Sequence, residues 1–138
     1  KISKNWVIDF AKEKQVAEDM AKEMHTKCAT VMENVGNLSG GNMQKVLLGK
    51  WLFADPDILI LDEPTRGIDV GAKYEIYLII NRMVAEGKSV ILISSEMPEV
   101  LGMSDRIYVM NEGRMIAEMD AKDADQEKIM TCIINSGK

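Results

Sequence analysis

Two stretches of this chain bring together groups that could handle a phosphate. In the first, Asp62 and Glu63 close the apolar run Ile58-Leu59-Ile60-Leu61, and Pro64 stops it. Four apolar residues without alternation suit a short strand buried on both faces, as in a parallel sheet covered by helices. Ligands of open α/β sheets bind outside the carboxyl ends of the strands. Asp62 and Glu63 are therefore expected on the binding edge. An Asp at a strand end can hold Mg²⁺ beside nucleotide phosphates, directly or through water. A neighbouring Glu can polarise an attacking water. The plain alternative is a core strand that ends in two solvated acids.

The second stretch is Leu38-Ser39-Gly40-Gly41-Asn42-Met43-Gln44-Lys45. Ser39 is a good helix N-cap, and the apolar residues Val46, Leu47, Trp51 and Leu52 follow at helical spacing. Gly40 and Gly41 allow close backbone approach and leave amide N–H groups free. A helix N-terminus with free amides is an anion site. An ordinary capped helix would carry the same residues, so Ser-Gly-Gly alone does not decide between the two.

The order of the motifs says more than either motif. A Leu-Ser-Gly-Gly, a helix, an Asp-Pro and a buried strand ending Asp-Glu-Pro follow one another. That order resembles the nucleotide-binding domains of ATP-binding-cassette (ABC) transporters over about Leu38 to Glu118. There Leu-Ser-Gly-Gly is the signature motif, and Ile-Leu-Ile-Leu-Asp-Glu is Walker B. Three long strings look most like the second, C-terminal cassette of sugar-import ATPases of the ribose/galactose type: Leu38–Lys45, Asp62–Lys73 and Ile93–Arg106. The resemblance implies an α/β fold. It would be a partial P-loop NTPase domain, with a mainly parallel sheet flanked by helices, part of a helical subdomain, and a C-terminal β-hairpin. Residues 1–53 would supply the helical part and the signature helix. Residues 54–138 would supply Walker B, the D-loop and the switch region of the core.

No G-x-x-x-x-G-K-[ST] loop occurs in the 138 residues. That loop supplies the backbone cradle and the Lys for phosphates. With a first residue of Lys1 rather than Met, the chain is expected to be the later half of a cassette whose Walker A half lies upstream.

The elements that must position these motifs read as follows. Asp9 caps a helix to about Met24, with Phe10, Val16, Ala17, Met20 and Met24 near one face. His25 has no Cys or acidic partner in sequence and reads as structural or exposed. Cys28–Asn37 is loop, with a turn at Gly36-Asn37. A helix over Gly40–Phe53 follows, with Lys45 and Lys50 expected to face solvent. Asp69 N-caps a helix over Gly71–Ala85 that shows Ile76, Ile79, Ile80, Met83 and Val84 on one face, and Gly87 stops it. Ser89–Ser94 is a second buried strand, which makes a parallel βαβ unit. Glu96–Met103 is a short helix with Pro98 in its first turn. Asp105–Met110 and Arg114–Met119 form a hairpin about Asn111-Glu112-Gly113. Ala124–Ile134 is a final helix, and Ser136-Gly137-Lys138 reads as an unstructured end.

Bulk properties narrow the function. The net charge of −5 argues against a nucleic-acid surface, which needs clustered Lys and Arg. No run approaches the ~18 to 20 apolar residues that span a bilayer, and no signal peptide is visible, so a membrane role would come through a partner. Cys28 and Cys132 have no metal spacing. The eleven methionines read as flexible core filler.

What remains comes from the resemblance. It implies ATP and Mg²⁺ as cofactors, with Asp62 on the metal and Glu63 activating water. Leu38, Ser39, Gly40, Gly41 and Asn42 would contact the nucleotide of a paired cassette, and Gly67-Ile68-Asp69 would be the D-loop between cassettes. Partners would be membrane permease subunits, an N-terminal ATPase cassette of the same chain and, indirectly, a periplasmic sugar-binding protein. The protein would sit peripherally on the cytoplasmic face of the inner or plasma membrane and power import of a monosaccharide. One position departs from the pattern. Ser95 stands where most active cassettes carry a switch histidine, and serine cannot carry a positive charge. The resemblance then implies a slow or inactive site on this Walker B, although Glu63 is retained and inactivity does not strictly follow. A regulatory cassette without turnover stays open for that reason. A soluble ABC ATPase of the DNA-repair or translation type is disfavoured by the acidic balance and by the Thr-Arg-Gly-Ile-Asp-Val-Gly-Ala-Lys string.

Overall fold

Two short antiparallel strands begin the chain in a computed structural model that describes residues 2–4 and 6–137. They are β1 (Ser3–Lys4) and β2 (Val7–Ile8), with Ser3 opposite Ile8. The end predicted at Lys138 lies outside the described residues. The chain divides into two compact units, one of Lys1–Ile60 with Pro64–Ile91 and the other of Leu61–Glu63 with Leu92–Lys138.

The first unit is helical. Helix α1 (Phe10–Glu23) starts where Asp9 was expected to cap it, and the Asp9 carboxylate accepts from the Lys12 N–H at 3.1 Å. Met24 is buried just past its end, whereas Phe10 is 76% exposed and does not belong to the packed face. The loop that follows tightens into a single 3₁₀ turn, Val35–Asn37. Helix α2 (Gly40–Phe53) has the predicted bounds. Its buried face differs from the predicted one. Gly41, Lys45, Leu48 and Gly49 are buried, while Leu47 and Trp51 are exposed. Residues i, i+4, i+7 and i+8 share one helical face, and here that face carries two glycines and a lysine. Helix α3 (Val70–Ala85) buries Ile76, Ile79, Ile80 and Met83. Val84 is exposed, so the predicted stripe is narrower by one residue.

Strands β3 (Ile58–Asp62) and β4 (Ser89–Ile93) form a two-stranded sheet. Ser89 N–H donates to the Asp57 carbonyl, and Glu63 N–H donates to the Ile93 carbonyl, each at 2.9 Å. The register rises in both strands together, which makes the pair parallel. The expectation of burial on both faces fails. Leu59 and Leu61 are buried, but Ile58, Ile60, Ile91 and Ile93 are exposed. An apolar strand packs one set of alternate side chains per covered face, and only one face is covered here.

The second unit holds helix α4 (Met97–Met103), the hairpin β5 (Arg106–Asn111) and β6 (Arg114–Asp120), and helix α5 (Gln126–Ser136). Pro98 lies in the first turn of α4 as predicted. Glu112 and Gly113 both have positive φ, as a two-residue hairpin turn requires. A bulge falls between Val109 and Met110. Ile107, Val109 and Ile129 form the unit's core, packed by Val100, Leu101, Ile116 and Ile133. Helix α5 starts two residues later than predicted because Asp125 caps it, accepting from the Lys128 N–H at 2.8 Å. A 3₁₀ turn over Ala121–Asp123 precedes it. Ser136 is the last helical residue and not part of an unstructured end: its hydroxyl donates to Ile133 O and accepts from Asn111 Nδ2.

Candidate functional site

The head of α2, within the first unit, is the better-formed of two candidate sites. Ser39 occupies the N-cap position in extended conformation, yet its hydroxyl caps nothing. It accepts instead from Asn42 Nδ2 at 2.8 Å, and Asn42 Oδ1 accepts from the Lys27 N–H at 2.8 Å. The predicted Ser39 cap is thus replaced by a side-chain bridge. The first intrahelical bond runs from Met43 N–H to Ser39 O. The amides of Gly40, Gly41 and Asn42 precede that bond, so they keep the donors that a helix start leaves over. Together with the helix dipole they favour an anion.

Gly41 serves a different end from the one its type suggested. A Cβ built on it would stand 2.5 Å from Ala72 Cβ. The close backbone approach is therefore between α2 and α3, and it brings the start of each helix to the other. Asp69 Oδ1 accepts from the Ala72 N–H at 3.0 Å and caps α3. Ser39, Gly41, Asn42, Asp69, Ala72 and Glu75 line one pocket of about 310 Å³. Leu38 lies outside it. Its N–H closes the preceding 3₁₀ turn onto Val35, and it lines a separate apolar pocket of about 360 Å³ with Val16, Met20 and Val46.

The second unit carries the acids. Asp62 ends β3 and is exposed. Glu63 follows at φ +48°, a left-handed conformation that is uncommon for a residue with a side chain. Two bonds hold it. Its N–H donates to Ile93 O, and its Oε1 accepts from the Ser95 N–H at 2.9 Å. Ser95 thus meets Glu63 through its backbone and not through its hydroxyl. No group of three or more His, Cys, Asp or Glu side chains able to hold a metal occurs among the described residues. Asp62 would have to share a cation with ligands from elsewhere. Cys28 and Cys132 are free thiols.

The chain is similar to known proteins in sequence and in fold. Residues 2–66 match the family described as ABC transporter, a span that holds Leu38–Lys45 and Asp62-Glu63 but not Asp69 or Ser95. A solved ATP-binding cassette of an ABC transporter superposes with a TM-score of 0.76 at 25% identity, over 94% of this chain and 53% of that one. The fold is that of an ATP-binding cassette. Among curated relatives, the xylose import ATP-binding protein of Geobacillus kaustophilus is 60% identical over 132 residues, 96% of this chain and 26% of its own length. A Burkholderia cenocepacia protein named for ribose, galactose and methyl galactoside import is 57% identical over 89% of this chain and 24% of its own length. The chain spans about a quarter of the length of the curated relatives it matches.

Sequence reasoning missed one residue of helix α2. Lys45 is 2% exposed, not solvated. Its ammonium pairs with the Glu75 carboxylate and donates to the His25 carbonyl at 3.0 Å. Hydrogen bonding from Lys45 holds the Glu75 carboxyl below the ordinary Glu value. The signal was in the spacing: Lys45 lies four residues after Gly41 and three before Leu48, on their face. Lys50 is exposed, as predicted.

Proposed function

We propose that this chain is part of the ATP-hydrolysing subunit of an ABC importer for a monosaccharide, and that it comes from the second of two fused cassettes. The uncapped head of α2, carried by residues 38–45, is the observation that supports this most. The names of the two relatives described above, 60% and 57% identical, support the sugar class. Pentose and galactose-type names both occur among them, so the class is set no more finely than monosaccharide.

The residues fit ATP with Mg²⁺. Uncapped amides beside a pocket suit a phosphate, and an exposed strand-end Asp62 suits a hard cation with oxygen ligands. MgATP supplies the cleavable γ-phosphoryl bond and the charge that screens it. Gly40, Gly41 and Asn42 donate backbone N–H groups to a phosphate held by the paired cassette. Asp69 presents the start of α3 at the same junction. Asp62 contributes one ligand to the cation of this cassette's own site, where the Walker A loop would come from upstream residues. Glu63 Oε1 is engaged by Ser95, which leaves Oε2 to orient water. Permease subunits and the other cassette complete the assembly on the cytoplasmic face of the membrane, and a periplasmic sugar-binding protein meets the permease from the opposite side. Among the described residues no helix is long and apolar enough to cross it.

The position of Ser95 favours a second reading for one site: nucleotide binding without turnover on this cassette's own Walker B. The deciding experiment is ATP hydrolysis by the full-length protein with its permease, comparing Ser39→Arg with Glu63→Gln. Loss of turnover in Ser39→Arg and its retention in Glu63→Gln make this cassette's own site regulatory. Equal damage means both sites fire despite Ser95. Full turnover in both variants overturns the reading as a whole.

A further inference from the structure

The buried cation of the signature helix has no role in the chemistry above. Taking an ammonium out of water is costly unless it is paired and hydrogen-bonded. A Met or Leu would fill the same volume on α2 without that cost. What the cation adds is connection. Lys45 joins α2 to α3 through Glu75, and joins α2 to the end of α1 through the His25 carbonyl. His25 is held at φ +49°, which turns the chain just after α1. Two residues later, Lys27 N–H donates to Asn42 Oδ1. The segment after α1 is therefore fastened to α2 twice within one helical turn. Helical side chains lean toward the N-terminus, over the preceding turn. The Lys45 stem thus covers the turn that starts at Gly41, where α2 meets Ala72 of α3.

We propose that Lys45 is a positioning residue for the phosphate-facing amides of Gly40, Gly41 and Asn42, acting through Glu75 and the His25 carbonyl; this rests on the function proposed above. Donors aimed at a developing charge act by being fixed in advance. Freeing the head of α2 to shift against α3 degrades their aim without touching the groups that grip the nucleotide elsewhere. The signature of Lys45 is a loss in turnover without a loss in nucleotide affinity.

The test uses the full-length protein with its permease and measures kcat, KM for ATP, inhibition by orthovanadate as a mimic of the transferred phosphate, and Tm. Lys45→Met is expected to lower kcat about tenfold or more, the scale of a small misplacement of catalytic groups. KM stays within about twofold, and the vanadate concentration for half inhibition rises in step with the kcat loss. Glu75→Gln keeps the shape of the side chain and removes its charge, and moves both quantities the same way by less. The double variant is no worse than Lys45→Met, because both act through one link. Unchanged kcat and vanadate sensitivity in Glu75→Gln and Lys45→Met overturns the inference. So does a drop in Tm alone, or strictly additive effects. Should Lys45→Met not fold, Glu75→Gln decides by itself. Ser39→Arg in the same assay separates the two levels: turnover that survives it defeats the proposed function, while turnover abolished by it but indifferent to Glu75→Gln defeats only the role of Lys45.

Discussion

The carboxylate of Glu63 is fixed by the backbone N–H of Ser95, 2.9 Å away across the ends of two strands. Any residue but proline at position 95 can make that bond. The hydroxyl contributes nothing to it, so under the proposed function a serine in place of the switch histidine would cost the site a positive charge and leave the hold on Glu63 intact. Ser95→Pro removes the donor and Ser95→Ala does not. A hydrogen bond to a charged group contributes roughly 1.5–3 kcal/mol when shielded, and less at this exposed position. The proline variant is expected to be less stable than the alanine variant by about 1 kcal/mol. Urea unfolding of the two variants checks it, and equal midpoints would remove Ser95 from the support of Glu63.

The Lys45–Glu75 pair gives stability a direction with pH. Hydrogen bonding from Lys45 is the main cause that lowers the Glu75 carboxyl from 4.5, opposed by desolvation and helped by the charges of Lys45, Lys27 and His25. A folded value below the unfolded one means that the unfolded chain takes up the proton first as pH falls. The contribution is whole above about pH 4.5 and fades as pH falls through the lowered folded value. Wild type should therefore exceed Glu75→Gln in Tm at neutral pH, with the gap closing below pH 4.5. A gap that stays constant down to pH 3 would show that the link carries no charge term.

Gly41 meets α3 too closely to accept a methyl group. Its Cβ would lie 2.5 Å from Ala72 Cβ. Overpacking of this kind costs roughly 1–3 kcal/mol. Helix propensity returns about 1 kcal/mol when Gly becomes Ala. Gly41→Ala should be destabilised by up to about 2 kcal/mol on that balance, and adding Ala72→Gly should recover part of the loss by removing the methyl it strikes. Chemical denaturation of the single and double variants measures this. If the double variant is worse by the sum of the parts, the two positions do not touch.

Helix bounds were legible because caps and stops are local. Asp9, Asp69 and Gly87 act within three residues of themselves, and α2 ended at the Phe53 expected from the Asp-Pro that follows. Burial was not legible, because it depends on what lies opposite. Leu47 and Trp51 look like core and are exposed; Lys45 looks solvated and is buried. The site divides the same way. Ser39, Gly40, Gly41 and Asn42 announced an anion-ready helix start, and their order with Asp62 and Glu63 carried the resemblance. No local pattern could say that Asn42, and not a backbone amide, would donate to the Ser39 hydroxyl. The left-handed turn at Glu63 has no sequence mark either, since Glu is a poor choice for it.

Ile58 and Ile60 stand 61% and 63% exposed on β3, and Ile91 and Ile93 are 52% and 48% exposed on β4. A parallel strand rich in isoleucine is normally covered on both sides. If the remainder of the cassette supplies that cover, one substitution has opposite consequences in two contexts. In the 138-residue chain alone, Ile60→Thr changes an exposed side chain, and surface changes lie within about 0.5 kcal/mol. The same change should reduce binding of a hydrophobic dye and self-association, since it breaks an exposed apolar face. In the full-length protein, Ile60 would be buried, and losing its apolar contacts should cost roughly 2 kcal/mol. Dye fluorescence and light scattering on the isolated chain, set beside denaturation of the full-length protein, give both signs. The same small effect in both contexts would mean that this face stays open in the full-length protein.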